Sequence, residues 1–183
     1  MASSGQTNTP ALQALMADAA LAGDWTLDAS RSTVSLRSKS MWGLAPVKGA
    51  FRQVSGQGTV SQTGDVSGTI TVSAASIDTK NKKRDTHLRS ADFFDSDNYP
   101  DITFTVDQAR PSGQGATVSG SITVRDRTRP ITFDATVSAV SDSEISLDTE
   151  VPVNRTDFGL TWNQMGMASV HNTITVHAVF TKR

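Results

Sequence analysis

Arg84-Asp85-Thr86-His87-Leu88-Arg89-Ser90-Ala91-Asp92 gathers carboxylates, hydroxyls, guanidinium groups and an imidazole in one short run, and Phe93 and Phe94 follow directly. Three chemistries can be tested on it. Ser90, His87 and Asp85 have the residue types of a hydrolytic triad. However, the chain has no Gly-x-Ser-x-Gly elbow, and residues so close along one loop rarely converge on a single reacting atom. Metal binding would have to draw on His87, His171 and His177, because cysteine is absent and no two histidines stand at ligand spacing beside a carboxylate. Such a site needs His87 to approach one of the others. Phosphate binding has two basic clusters to offer, Lys80, Lys82, Lys83, Arg84 and Arg89, then Arg125, Arg127 and Arg129. Each can serve an anion by charge-assisted hydrogen bonds, or serve only as surface charge and structural pairing. A structural reading makes Arg84, Asp85, His87 and Asp92 anchors that fasten a helical loop to the domain.

A second signal is apolar. Phe93, Phe94, Tyr99, Phe158, Trp162, Met165 and Met167 fall in two segments, Ser76 to Pro100 and Arg155 to Val170, that interrupt the regular pattern of the chain. Trp42 and Leu44 belong with them, in the loop before Val47. Aromatic and methionine side chains on loops suit an apolar ligand, and they suit equally well a plug of ordinary core. Long irregular segments in a compact β domain are uncommon and often functional.

The elements that must position these groups are strands. From Asp24 onward apolar and polar residues alternate: Ile102, Phe104 and Val106 against Thr103 and Thr105; Val118, Gly120, Ile122 and Val124 against Ser119, Ser121 and Thr123. Period two means one buried and one wet face. Val34–Leu36 and Val47–Phe51 read as further strands, and Thr63-Gly64-Asp65, Pro111-Ser112-Gly113 and Ser141-Asp142-Ser143 as turns. Short spacings imply antiparallel hairpins, and about eight such strands give a barrel or a sandwich. Small residues at inward positions, among them Gly49, Gly68, Gly120, Ala135 and Ala178, favour a barrel with room for a slender ligand. Phe51, Phe104 and Phe133 could instead fill it. Residues 1–23 form a separate stretch, a polar tail and then a short helix with Thr9 as N-cap, Pro10 at its first position and Gly23 past its end. Residues 24–183 form the barrel domain.

Composition narrows the function. Lys and Arg total 17, Asp and Glu 18, and the net charge is -1, so nothing calls for a nucleic acid or an anionic membrane as partner. No apolar run approaches the roughly 20 residues that span a bilayer. The N-terminus lacks a basic region followed by a clean apolar stretch, so a cytoplasmic location is expected.

"WTLDASRSTVSL", "VKGAF", "SIDTKNKKRDTHLRSADFFDSDNYPDITF", "VSGSITVRDRTRPITF" and "NRTDFGL" resemble, in order and spacing, the YceI-like family, from Trp25 to about Arg183. The resemblance implies an all-β, eight-stranded antiparallel lipocalin-like barrel around an apolar tunnel. It implies binding of a polyisoprenoid, such as an isoprenoid quinone or a prenyl phosphate. The expected protein is a binder rather than an enzyme, with no metal and no cofactor beyond that ligand. Homodimers occur in the family. On this reading the tunnel draws on Leu36, Trp42, Leu44, Phe51 and Phe93, and on Phe94, Phe104, Phe158, Trp162 and Met165. Two departures stand out: Arg31 takes the place of a usual His and bears on a polar contact near the tunnel, and Asp126-Arg127 puts charge where the family tends toward Gly-Val. The alternatives are an enzyme acting on a lipidic or quinone substrate through His87 and nearby carboxylates, and a filled barrel that works through its surface.

Overall fold

The structure, a computed structural model, describes residues 14–15, 17, 19–40, 45–112, 115–163 and 169–183. The strands are β1 (Gly23–Leu27), β2 (Thr33–Ser40), β3 (Ala45–Phe51), β4 (Val54–Val60), β5 (Val66–Ser73), β6 (Ile77–Asp78), β7 (Asp101–Ser112), β8 (Gly115–Val124), β9 (Arg127–Val140), β10 (Glu144–Asn154) and β11 (His171–Lys182). A helix α1 (Lys82–Arg89) lies between β6 and β7. All ladders are antiparallel, and β1 closes the ring by pairing with β11 through Trp25↔Lys182 and Leu27↔Phe180.

The segments merge into an eight-stranded barrel because three strands are bent rather than broken. β1 and β2 lie along β11 in succession, β4 and β3 continue the next position, and β5 and β6 the one after. Hydrogen bonds within the first bend fix it: Ser30 N–H donates to the Asp28 carboxylate at 3.0 Å, and Arg31 Nε donates to the same group at 2.8 Å. The alternation expected from sequence is visible in β8, where Ala116, Val118, Ile122 and Val124 are buried and Thr117, Ser119, Ser121 and Thr123 are less so. Pro111 and Ser112, expected in a turn, continue β7 instead, paired with Ala116 and Gly115.

The meander sends the β2–β3, β8–β9 and β10–β11 connections to the same end of the barrel as α1, and the remaining hairpins to the other end. Two groups of buried side chains follow. At the α1 end are Val34, Phe51, Ile77, Phe94, Phe158 and Leu160; at the opposite end are Leu21, Trp25, Ala116, Val118, Ala135 and Val137. Phe104 packs against both. Most of the expected N-terminal helix falls outside the described residues, but Ala14, Leu15 and Ala17 are helical, and Ala19, at φ 55°, adopts the left-handed conformation that ends helices.

Candidate ligand-binding tunnel

Between the two groups of side chains the barrel encloses a cavity of about 520 Å³. Each long strand contributes apolar wall: Leu36 from β2, Val72 from β5, Phe104 from β7, Ile122 from β8, Phe133 from β9, Val151 from β10 and Val176 from β11. The size falls within the ~300–1,000 Å³ usual for small-molecule sites. The interior is therefore not filled, although Phe104 and Phe133 do meet inside it at 5.4 Å between ring centres.

Phe51, Phe94, Phe158 and Trp162 also line the cavity. Phe94 stacks edge-on against Phe51 at 5.9 Å, which fixes the loop after α1 to the barrel wall. Phe93, His87 and Trp162 form a three-ring cluster at the mouth: His87 to Trp162 4.4 Å, His87 to Phe93 5.1 Å, Phe93 to Trp162 5.4 Å, all edge-on. The cluster joins the two irregular segments of the chain. Trp42, Leu44 and Met165 lie outside the described residues.

The anchoring side chains work through a residue that sequence reasoning did not single out. Thr79 is buried and donates to Asp85 Oδ1 twice, from its backbone N–H at 2.9 Å and its hydroxyl at 2.5 Å. Arg84 donates to the same Thr79, from Nε to the hydroxyl oxygen at 2.8 Å and from Nη2 to the carbonyl at 2.9 Å. Asn81 caps α1 by accepting from Arg84 N–H at 3.0 Å. His87 Nε2 meets Asp92 Oδ2 at 2.8 Å, and Ser90 Oγ donates to the His87 carbonyl at 2.6 Å. Asp85 thus faces Thr79, His87 faces Asp92, and Ser90 faces the backbone. The three groups of the imagined triad do not converge.

Arg155 is buried at the mouth and donates to carbonyls across the second irregular segment: Nε to Ser169 at 3.0 Å, Nη1 to Leu160 at 2.9 Å and to Trp162 at 2.7 Å. Burial pushes its guanidinium down from the ordinary arginine value. Lys39, Arg84, His87 and Arg155 line the cavity at the α1 end and Arg110 at the other; no Asp or Glu among the described residues lines it.

The departures noted in the sequence resolve differently. Arg31 turns outward, holding Asp28 at 2.8 Å and Glu144 at 3.0 Å, and makes no part of the cavity wall; the buried polar contact beside it belongs to Ser32, whose Oγ accepts from Val179 N–H at 3.0 Å. The β8–β9 turn is taken by Arg125 at φ 57°, a left-handed conformation unusual for such a residue. Its guanidinium donates from Nη1 to the Phe93 carbonyl at 3.3 Å and lies 5.9 Å from the Tyr99 ring centre. Among the described residues no cluster of His, Asp or Glu could hold a metal ion, and no helix is long and apolar enough to cross a membrane.

A closed antiparallel barrel of eight strands around an apolar cavity is the architecture of the lipocalin-like binding proteins. The YceI-like domain model matches residues 25–181, and the chain belongs to that family. A UPF0312 protein of Staphylococcus aureus (strain MSSA476) is 32% identical over 149 residues, 77% of this chain and 84% of the relative. Burkholderia cenocepacia BcnA superposes with a TM-score of 0.75 at 26% identity, covering 84% of this chain and 98% of that one. A polyisoprenoid binding domain from Saccharophagus degradans, implicated in plant cell wall breakdown, shares the fold at TM-score 0.70 and 17% identity, over 87% of this chain and 98% of that one.

Proposed function

We propose that this protein binds a long isoprenoid or similar amphiphilic lipid, with its hydrocarbon in the barrel and its head at the α1 end, and stores, carries or sequesters it. The observation that carries this reading is the enclosed cavity walled by apolar side chains from every long strand. Burial contributes about 0.8 kcal/mol per CH₂, so several isoprene units give a firm hold without directed hydrogen bonds. The head is assigned to the α1 end because Lys39, Arg84, His87 and Arg155 gather there. A cationic mouth without carboxylates in its lining suits a prenyl phosphate, and the ring cluster of His87, Phe93 and Trp162 suits the flat head of an isoprenoid quinone. The Saccharophagus domain, whose name specifies polyisoprenoid binding, supports the ligand class.

The test is organic extraction of the purified protein followed by mass spectrometry, with Val176→Phe as comparison. Val176 lines the cavity from β11, between its register partners Thr149 and Val34 on the flanking strands, so the larger ring takes up space in the bore. The wild type is expected to carry a long-chain lipid in near-stoichiometric amount, and the folded Val176→Phe protein to carry at least tenfold less. Wild-type protein that yields no lipid and takes none up after delipidation would sink the proposal.

A further inference from the structure

The wall of the tunnel at the end away from α1 includes a segment that lies outside the family-matched residues 25–181. Leu21 lines the cavity yet is only 2% exposed. It is held in place from two sides. The Trp25 indole Nε1–H donates to the Leu21 carbonyl at 2.9 Å, tying the middle of β1 to the residue four positions before it. Lys182 Nζ, from the last residue of β11, donates to the neighbouring Ala20 carbonyl at 2.9 Å and lies 6.0 Å from the Trp25 ring centre. Gly23 makes the approach possible: its φ of 135° suits glycine, and a Cβ there would stand 2.9 Å from Lys182 Cε. Below Leu21, Leu15 packs onto the same apolar group, and the Ala20 N–H donates to the Leu15 carbonyl at 2.8 Å.

We infer that Leu21, clamped by Trp25 and Lys182, is the floor of the tunnel and sets the longest hydrocarbon tail it can hold. The inference rests on the proposed lipid-binding reading and gives that site its selectivity. A tail that enters from the mouth gains apolar contact with each isoprene unit until its end reaches Leu21. The next unit must displace a buried residue whose segment is anchored at Ala20 and Leu21, fold back on itself, or leave hydrocarbon in water at the mouth. Affinity should therefore climb with chain length, reach a break, and stop climbing. Because the floor comes from residues before the matched domain, its depth is a property of this chain's own N-terminal segment.

The experiment uses full-length, delipidated protein and a series of linear all-trans prenols that differ by one isoprene unit, with binding measured for each. Leu21→Ala lowers the floor, and the break should move to chains longer by at least one unit. Leu21→Phe raises it, and the break should move shorter. Thermal melts identify any variant that fails to fold. Leu21→Val, which deletes one methylene group, keeps the direction readable by raising affinity severalfold for the first prenol beyond the wild-type break. Variants that bind prenols with the wild-type break unmoved overturn the floor and leave the binding function standing. Wild-type protein that binds no prenol of any length overturns both.

Discussion

Asp85 is 7% exposed and accepts from both the backbone N–H and the hydroxyl of Thr79, while Arg84 holds the hydroxyl and carbonyl of the same residue. Truncating Asp85 leaves a buried N–H with no acceptor, and a buried donor without a partner costs about 1–3 kcal/mol. Asp85→Ala should therefore lose stability in that range in urea denaturation, and Asp85→Asn, which keeps an accepting oxygen, should lose less. Equal losses for the two variants would mean that the accepting oxygen contributes little. The run from Arg84 to Asp92 was legible as a concentration of polar groups because it is contiguous. Its hub was not, because Thr79 is an ordinary residue until α1 folds back over β6. Ser32 and Leu21 were invisible for another reason: Val179 stands 147 positions from Ser32, and Lys182 stands 162 positions from Ala20. Pairing over such spans leaves no local pattern to read.

Strand alternation carried most of the architecture, since each strand buries one face and the period survives in β3, β4 and β8. The bends were harder to see. Between β3 and β4 only Arg52 and Gln53 intervene, and the apolar period runs through the break from Phe51 to Val54 with only a shift of phase. Gly120 shows how a correct placement can carry the wrong reason. Its small size suggested room for a ligand. In the structure it opposes Val106, beside an irregularity in β7, and a Cβ built on it would stand 1.9 Å from the Thr105 carbonyl oxygen. It does not line the cavity; the neighbouring backbone excludes a side chain. Gly120→Ala must push β7 away and disturb its ladder, at a cost of about 1–3 kcal/mol or more, as overpacking generally does. The midpoint of urea unfolding reports this, and a change below about 0.5 kcal/mol, the range of neutral surface substitutions, would show that the bulge accommodates the methyl freely.

At the scale of the molecule, the barrel is held by apolar groups at its two ends and left open between them. An empty cavity forfeits contacts for every side chain on its wall, and water is a poor substitute where few partners for hydrogen bonding exist. A hydrocarbon tail would complete the core, so loading and folding are linked. A ligand that binds only the folded state at a hundred times its Kd adds about 2.7 kcal/mol. For a domain of this length each kcal/mol raises Tm by roughly 2–4 °C, which makes an upward shift of roughly 5–10 °C on loading. The shift should persist at high salt for a prenol, whose hold is apolar, and should shrink with salt for a prenyl phosphate to the extent that Lys39, Arg84 and Arg155 grip its head. Differential scanning calorimetry of delipidated and reloaded protein reads both effects together. A delipidated protein that melts at the same temperature as the loaded one would mean that the tail does not occupy the bore, whatever lipid is recovered from the preparation.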